Sequence, residues 1–236
     1  MVDRAIIFQA MRRSGHHAII DWIIDSYQGS VTFENNIRNH NPRLKRTSGD
    51  SGVPSLLIQS IEDDPFDASL DGVVVIARDP LNNIASRIRK QENLKMLSRT
   101  HKNLANFDCS IDDGIKRMKT HYDAIVNGAK FVLYPQWVEH RSYRKHVMDS
   151  VLGLAEHSVG YEEPRFSVAK YGDGSSYSGF NKFNEKNVSD VLRRYQHNAS
   201  EVLEHIDDEL IELARLVFGN EFIDGMLMDA MEYAKR

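Results

Sequence analysis

Near the start of the chain Arg12, Arg13, Ser14, Gly15, His16 and His17 follow one another without a break. A glycine lets backbone N–H groups approach an anion closely, and the start of a following helix adds a partial positive charge. Arg12 and Arg13 supply guanidinium forks that match phosphate oxygens. The turn is therefore an anion cradle for a phosphate-bearing ligand. It is not a Walker A loop, because Gly15 is followed by His16 and His17 in place of Lys and Ser or Thr. Imidazoles at those two positions add hydrogen-bonding or acid–base groups to the cradle.

Holding such a turn in place takes a strand before it and a helix after it. Arg4 to Ala10 is an apolar run of strand length, and Ala18 to Ile24 reads as the helix, closed by Gly29. A second strand is expected at Ser30–Glu34, then a long polar loop over residues 35–54, then a strand at Ser55–Ser60 and an acidic turn at Glu62-Asp63-Asp64-Pro65. Gly72 to Arg78 carries a β-branched run expected of a strand covered on both faces. Asp79 is placed as the N-cap of the next helix, with Pro80 at its first position and Leu81, Ile84, Ala85 and Ile88 on its apolar face.

Further helices are expected over Leu94–Leu104, over the stripe Ile115, Met118, Tyr122, Ile125 and Val126 ended by Asn127-Gly128, and over Tyr143–Leu154. Phe131–Tyr134 reads as another strand, residues 159–186 as loop, and 188–236 as a helical tail with Leu203, Ile206, Leu210, Leu213 and Val217 on one face. Strands alternating with helices predict an α/β fold, a three-layer sandwich around a mostly parallel sheet. In such sheets ligands bind beyond the carboxyl ends of the strands, and the turns after Ala10 and Ala77 leave from that edge.

The 236 residues suit a single domain, 1–236. One cysteine, Cys109, permits no internal disulfide and points to a reducing compartment. The net charge of −4 excludes nucleic-acid coating by bulk positive charge. No apolar stretch reaches the roughly 18 residues of a membrane span, and a strand beginning at about Arg4 leaves no room for a secretion signal. A cytoplasmic protein with no membrane partner is expected. Trp22 and Trp137 read as core, and Arg87, Arg89 and Lys90 as a solvated basic face.

Two motifs resemble those of the PAPS-dependent sulfotransferases, whose fold is P-loop-like. Arg13-Ser14-Gly15-His16-His17 is similar to the family's 5′-phosphosulfate loop, with histidines where Thr-Thr or Ser-Thr is usual. Val73 to Pro80 followed by Ser86 is similar to its 3′-phosphate segment: a strand ending in Arg, then Asp-Pro, then Ser eight residues after the Arg. Phe131-Val132-Leu133-Tyr134 echoes a family strand that ends Tyr-Glu, with Pro135 replacing the acid. The Gly/Ser-rich stretch 172–179 echoes a loop that covers the nucleotide.

The resemblance implies a co-substrate, 3′-phosphoadenosine 5′-phosphosulfate (PAPS), a product, adenosine 3′,5′-bisphosphate (PAP), and no metal. It implies sulfonate transfer to a hydroxyl or amine of a small molecule or sugar. Cofactor contacts are expected from Arg12, Arg13, Ser14, Gly15, His16, His17, Arg78, Ser86, Ser175, Ser176 and Lys182. Arg13 is expected to stabilise the leaving phosphate, and Glu34, 21 residues after Arg13, to act as base, with His17, His16 and His40 as rivals. The alternatives are a P-loop kinase-like nucleotide enzyme and a non-catalytic PAP- or PAPS-binding protein of the same fold.

Overall fold

The structure is a computed structural model that describes residues 3–38, 43–62, 66–67, 70, 72–98, 110–162 and 191–236. Its six strands are β1 (Arg4–Ala10), β2 (Val31–Asn35), β3 (Arg43–Thr47), β4 (Leu56–Glu62), β5 (Val73–Ala77) and β6 (Lys130–Leu133). They form one sheet in the order β3-β2-β4-β1-β5-β6. All neighbours run parallel except β2 and β3. The expected α/β class and mostly parallel sheet are present.

Helices cover both faces. α1 (His16–Ser26) packs on one face, where Phe8, Val74 and Ile76 meet Ile19, Ile20, Trp22 and Ile23. α2 (Pro80–Ser98) and α3 (Ile111–Val126) cover the other, where Val75 and Ala77 meet Leu81, Ile84, Ile88, Met118 and Tyr122. Successive residues of β5 thus point into opposite cores, and all five are buried. Trp22 and Trp137 are fully buried, edge to face at 5.6 Å.

After β6 come α4 (Tyr134–Glu139), α5 (Arg141–His146), a π turn at Val147–Val151 and a 3₁₀ turn at Ala155–His157. The tail is a 3₁₀ turn at Arg194–Asn198 followed by α6 (Ala199–Glu204), α7 (Asp208–Phe218) and α8 (Asn220–Ala234). Asp207 caps α7 by accepting from the Leu210 N–H at 2.8 Å, and Gly219, at φ 92°, separates α7 from α8. No helix of the described residues is long and apolar enough to cross a membrane.

Several elements differ from the sequence expectation. The polar stretch 35–54 contains β3, an antiparallel edge strand whose apolar Leu44 is 51 % exposed. An edge strand with charged side chains carries little hydropathy signal. α1 stops at Ser26, three residues before Gly29, because Tyr27 turns extended to bridge Ser158 and donates its hydroxyl to the Pro54 carbonyl at 2.7 Å. Tyr134 opens a helix instead of closing a strand, with Pro135 in the first turn. The expected Leu94–Leu104 helix is, as far as Ser98, the end of α2. Arg87 is not on a solvated face: it is 2 % exposed and packed against Gly114.

Candidate functional site

The register brings three carboxyl ends together. Ala10 of β1 lies opposite Glu62 of β4 on one side and Ile76 of β5 on the other. From this edge the glycine turn leaves β1. Its Ser14 N–H bonds to the Met11 carbonyl at 3.1 Å, and Arg13 takes a left-handed φ of 72°. Gly15 caps α1 at φ 86°. A Cβ there would sit 2.2 Å from a ring carbon of Tyr134, so glycine is required by both conformation and space. Tyr134 is held in turn by stacking on Trp137 at 5.9 Å and by the Arg78 guanidinium, 5.3 Å from its ring centre.

Arg78, at the end of β5, is 2 % exposed. Its Nη1 donates to the Arg13 carbonyl and its Nη2 to the Val191 carbonyl, both at 2.8 Å. The Arg12 carbonyl faces Asn83 Nδ2 and Arg87 Nη2, each at 3.4 Å. The two segments singled out in the sequence are therefore in direct contact, and the second fixes the backbone of the first. Asp79 caps α2 as expected, its Oδ1 accepting from the Asn82 N–H at 2.8 Å and Nδ2 at 2.9 Å. Burial pushes the Asp79 carboxyl above its ordinary value, against the opposing pull of Arg78. Three buried polar atoms of this segment, Arg78 Nε, Asp79 Oδ2 and Ser86 Oγ, have no hydrogen-bond partner among the described residues.

On the far side of the turn stands a residue the sequence did not single out. Glu62 reads as part of an acidic turn, but β4 runs on to it and presents its carboxylate to the head of α1. Glu62 Oε1 is 3.2 Å from His16 Nε2 and 3.4 Å from His17 Nε2. The imidazoles lie 4.0 Å apart, His17 Nε2 is 2.9 Å from Asn35 Oδ1, and Ser14 Oγ is 3.3 Å from His16 Nδ1. The strand length and the β1–β4 register carry this grouping, and neither is visible in local spacing. Glu34, the expected base, is the penultimate residue of β2 and lies beside Gln59, whose Nε2 donates to Glu34 Oε2 at 2.6 Å.

Burial alone would raise the Glu62 carboxyl, but hydrogen bonds and charge from His16 and His17 outweigh it and hold the group far below its ordinary 4.5. Burial would lower His17, yet Glu62, Asn35 and Asp21 together raise it above 6.5. A depressed carboxyl stabilises the fold above 4.5 and loses that contribution as pH falls; a raised imidazole contributes below 6.5 and loses it as pH rises through its folded value. The stability difference between the native chain and Glu62→Gln is thus expected to be widest between pH 4.5 and 6.5. Its size there should be about 2 kcal/mol, the range of a hydrogen bond to a charged group. Urea denaturation in EDTA across pH 3 to 9 checks this, and a difference independent of pH would contradict it.

Arg12 and Arg13 are half-buried on the turn, whereas Ser14 and His16 are buried. Ser175, Ser176, Lys182, His40 and Cys109 lie outside the described residues. No family model, no curated protein and no solved structure matches this chain. What the site can do therefore rests on its own geometry and on the two motifs.

Proposed function

We propose that the carboxyl edge of β1 and β5 binds PAPS and that the protein is a cytoplasmic sulfotransferase. One observation carries the reading: Arg78 bonds the Arg13 carbonyl, which joins the two segments that the resemblance assigns to the nucleotide. The orphaned polar atoms there include, beside Asp79 Oδ2, Arg78 Nε and Ser86 Oγ, the two side chains that the resemblance assigns to the 3′-phosphate. A phosphate accepts from both a guanidinium N–H and a hydroxyl, so these residues fit the group.

PAPS supplies the sulfonate and leaves as PAP. Arg13 faces the growing negative charge on the 5′-phosphate oxygen that takes the electron pair of the breaking S–O bond. Glu34 takes the acceptor's proton as the new bond to sulfur forms. His16 and His17 are engaged by the carboxylate of Glu62, whereas Glu34 pairs with the neutral amide of Gln59. The resemblance assigns Ser175, Ser176 and Lys182 to the nucleotide.

Calorimetric titration tests the reading. PAP is expected to bind the native chain and to lose about tenfold in affinity in Ser86→Ala and more in Arg13→Ala, as for charge-assisted hydrogen bonds. Adenosine 5′-monophosphate, lacking the 3′-phosphate, should bind Ser86→Ala and the native chain equally. A second reading, nucleotide binding without transfer, is favoured by the hold of Glu62 on both histidines. It predicts PAP binding with no release of PAP from PAPS in the presence of hydroxyl and amine acceptors.

A further inference from the structure

We propose that His16 Nε2, His17 Nε2 and Glu62 Oε1 form a binding site for a divalent transition-metal ion of the zinc class. The three ligand atoms lie within 4.8 Å of one another. With metal–ligand bonds of about 2.0–2.1 Å, neighbouring corners of a tetrahedron are about 3.3 Å apart. Glu62 Oε1 is 3.2 Å from one nitrogen and 3.4 Å from the other. Two imidazoles and one carboxylate suit zinc and its neighbours, whereas calcium and magnesium take oxygen sets.

The surrounding groups are those a metal site uses. Ser14 Oγ, itself fully buried, can accept the Nδ1–H of His16 at 3.3 Å, which turns the Nε2 lone pair toward Glu62. In that tautomer a metal ion can take the place that a proton holds between His16 Nε2 and Glu62 Oε1. His17 Nε2 faces two oxygen acceptors, Glu62 Oε1 at 3.4 Å and Asn35 Oδ1 at 2.9 Å. Asn35 is fixed by Ser60, whose Oγ donates to its Oδ1 at 2.9 Å. The fourth position is left to Asn35 Oδ1 or to an oxygen of a bound ligand. The head of α1 disfavours a cation, and the negative charge of Glu62, with Asp21 one turn along the helix, offsets that.

The sequence alone showed no metal-ligand spacing because the third ligand arrives from another strand. The inference does not rest on the nucleotide reading. Zinc uptake is measured without nucleotide, and PAP titration in EDTA is measured without metal, so either can fail alone.

The probe is Zn²⁺ alone, titrated against a chromophoric chelator, with Co²⁺ as a spectroscopic substitute. One equivalent per chain is expected to bind, weakened about a hundredfold or more in both Glu62→Gln and His17→Gln. Co²⁺ should give the intense visible bands of a four-coordinate site. Circular dichroism checks each variant. Should Glu62→Gln unfold, His17→Gln decides, since the His17 side chain is 24 % exposed. No uptake by the native chain, uptake unchanged in folded His17→Gln, or a weak six-coordinate Co²⁺ spectrum would each overturn the proposal.

Discussion

Gly15→Ala is expected to lower the stability of the fold by about 3 kcal/mol and, on the proposed function, to abolish PAP binding. Two separate costs add. A left-handed φ of 86° penalises any side chain by about 1 kcal/mol. The new Cβ would also lie 2.2, 2.5 and 2.6 Å from three carbons of the Tyr134 ring. Overpacking of that kind costs about 1–3 kcal/mol. The ring cannot swing aside cheaply, because Trp137 stacks on it and Arg78 lies over it. Urea denaturation measures the loss. The double variant Gly15→Ala with Tyr134→Leu should recover the steric part and not the backbone part. A loss below about 0.5 kcal/mol for the single variant would show that the turn is not held as described.

Arg78→Met is expected to cost about 3 kcal/mol and to free the turn. Methionine fills much of the volume but donates nothing, so the carbonyls of Arg13 and Val191 lose buried donors. The Asp79 carboxyl, already raised by burial, also loses the cation that opposes that rise. Arg78→Lys should recover less than half, since one ammonium cannot reproduce a planar fork aimed at two carbonyls. Denaturation of both variants checks the ranking. Amide hydrogen exchange should show faster opening at Ser14, whose bond to Met11 closes the turn. Equal stability of the native chain and Arg78→Met would contradict a positioning role for this guanidinium.

How far the molecule could be read in advance depended on range. β5 was legible because a strand buried on both faces is written as an unbroken apolar run, β1 because Ala5–Phe8 form a shorter apolar run, and Asp79-Pro80 because capping is local chemistry. The adjacency of the two turns followed from parallel topology. β3 was illegible since an exposed edge strand needs no apolar pattern. Arg87 was misplaced because its burial is decided by Gly114, on a different helix, and by the Arg12 carbonyl. Glu62 was read as turn residue because its partners lie 46 and 45 positions away in the chain, joined only by the β1–β4 register. Local signals thus revealed the loop, and long-range pairing added the histidine–carboxylate group.

The most direct test of the central claim is calorimetric titration of the native chain with PAP and, separately, with ATP. The account predicts selective binding of PAP, one equivalent per chain, because the 3′-phosphate finds the unpaired Arg78 Nε and Ser86 Oγ. No binding of PAP, or equal affinity for ATP, would contradict it and return the glycine turn to a general phosphate loop.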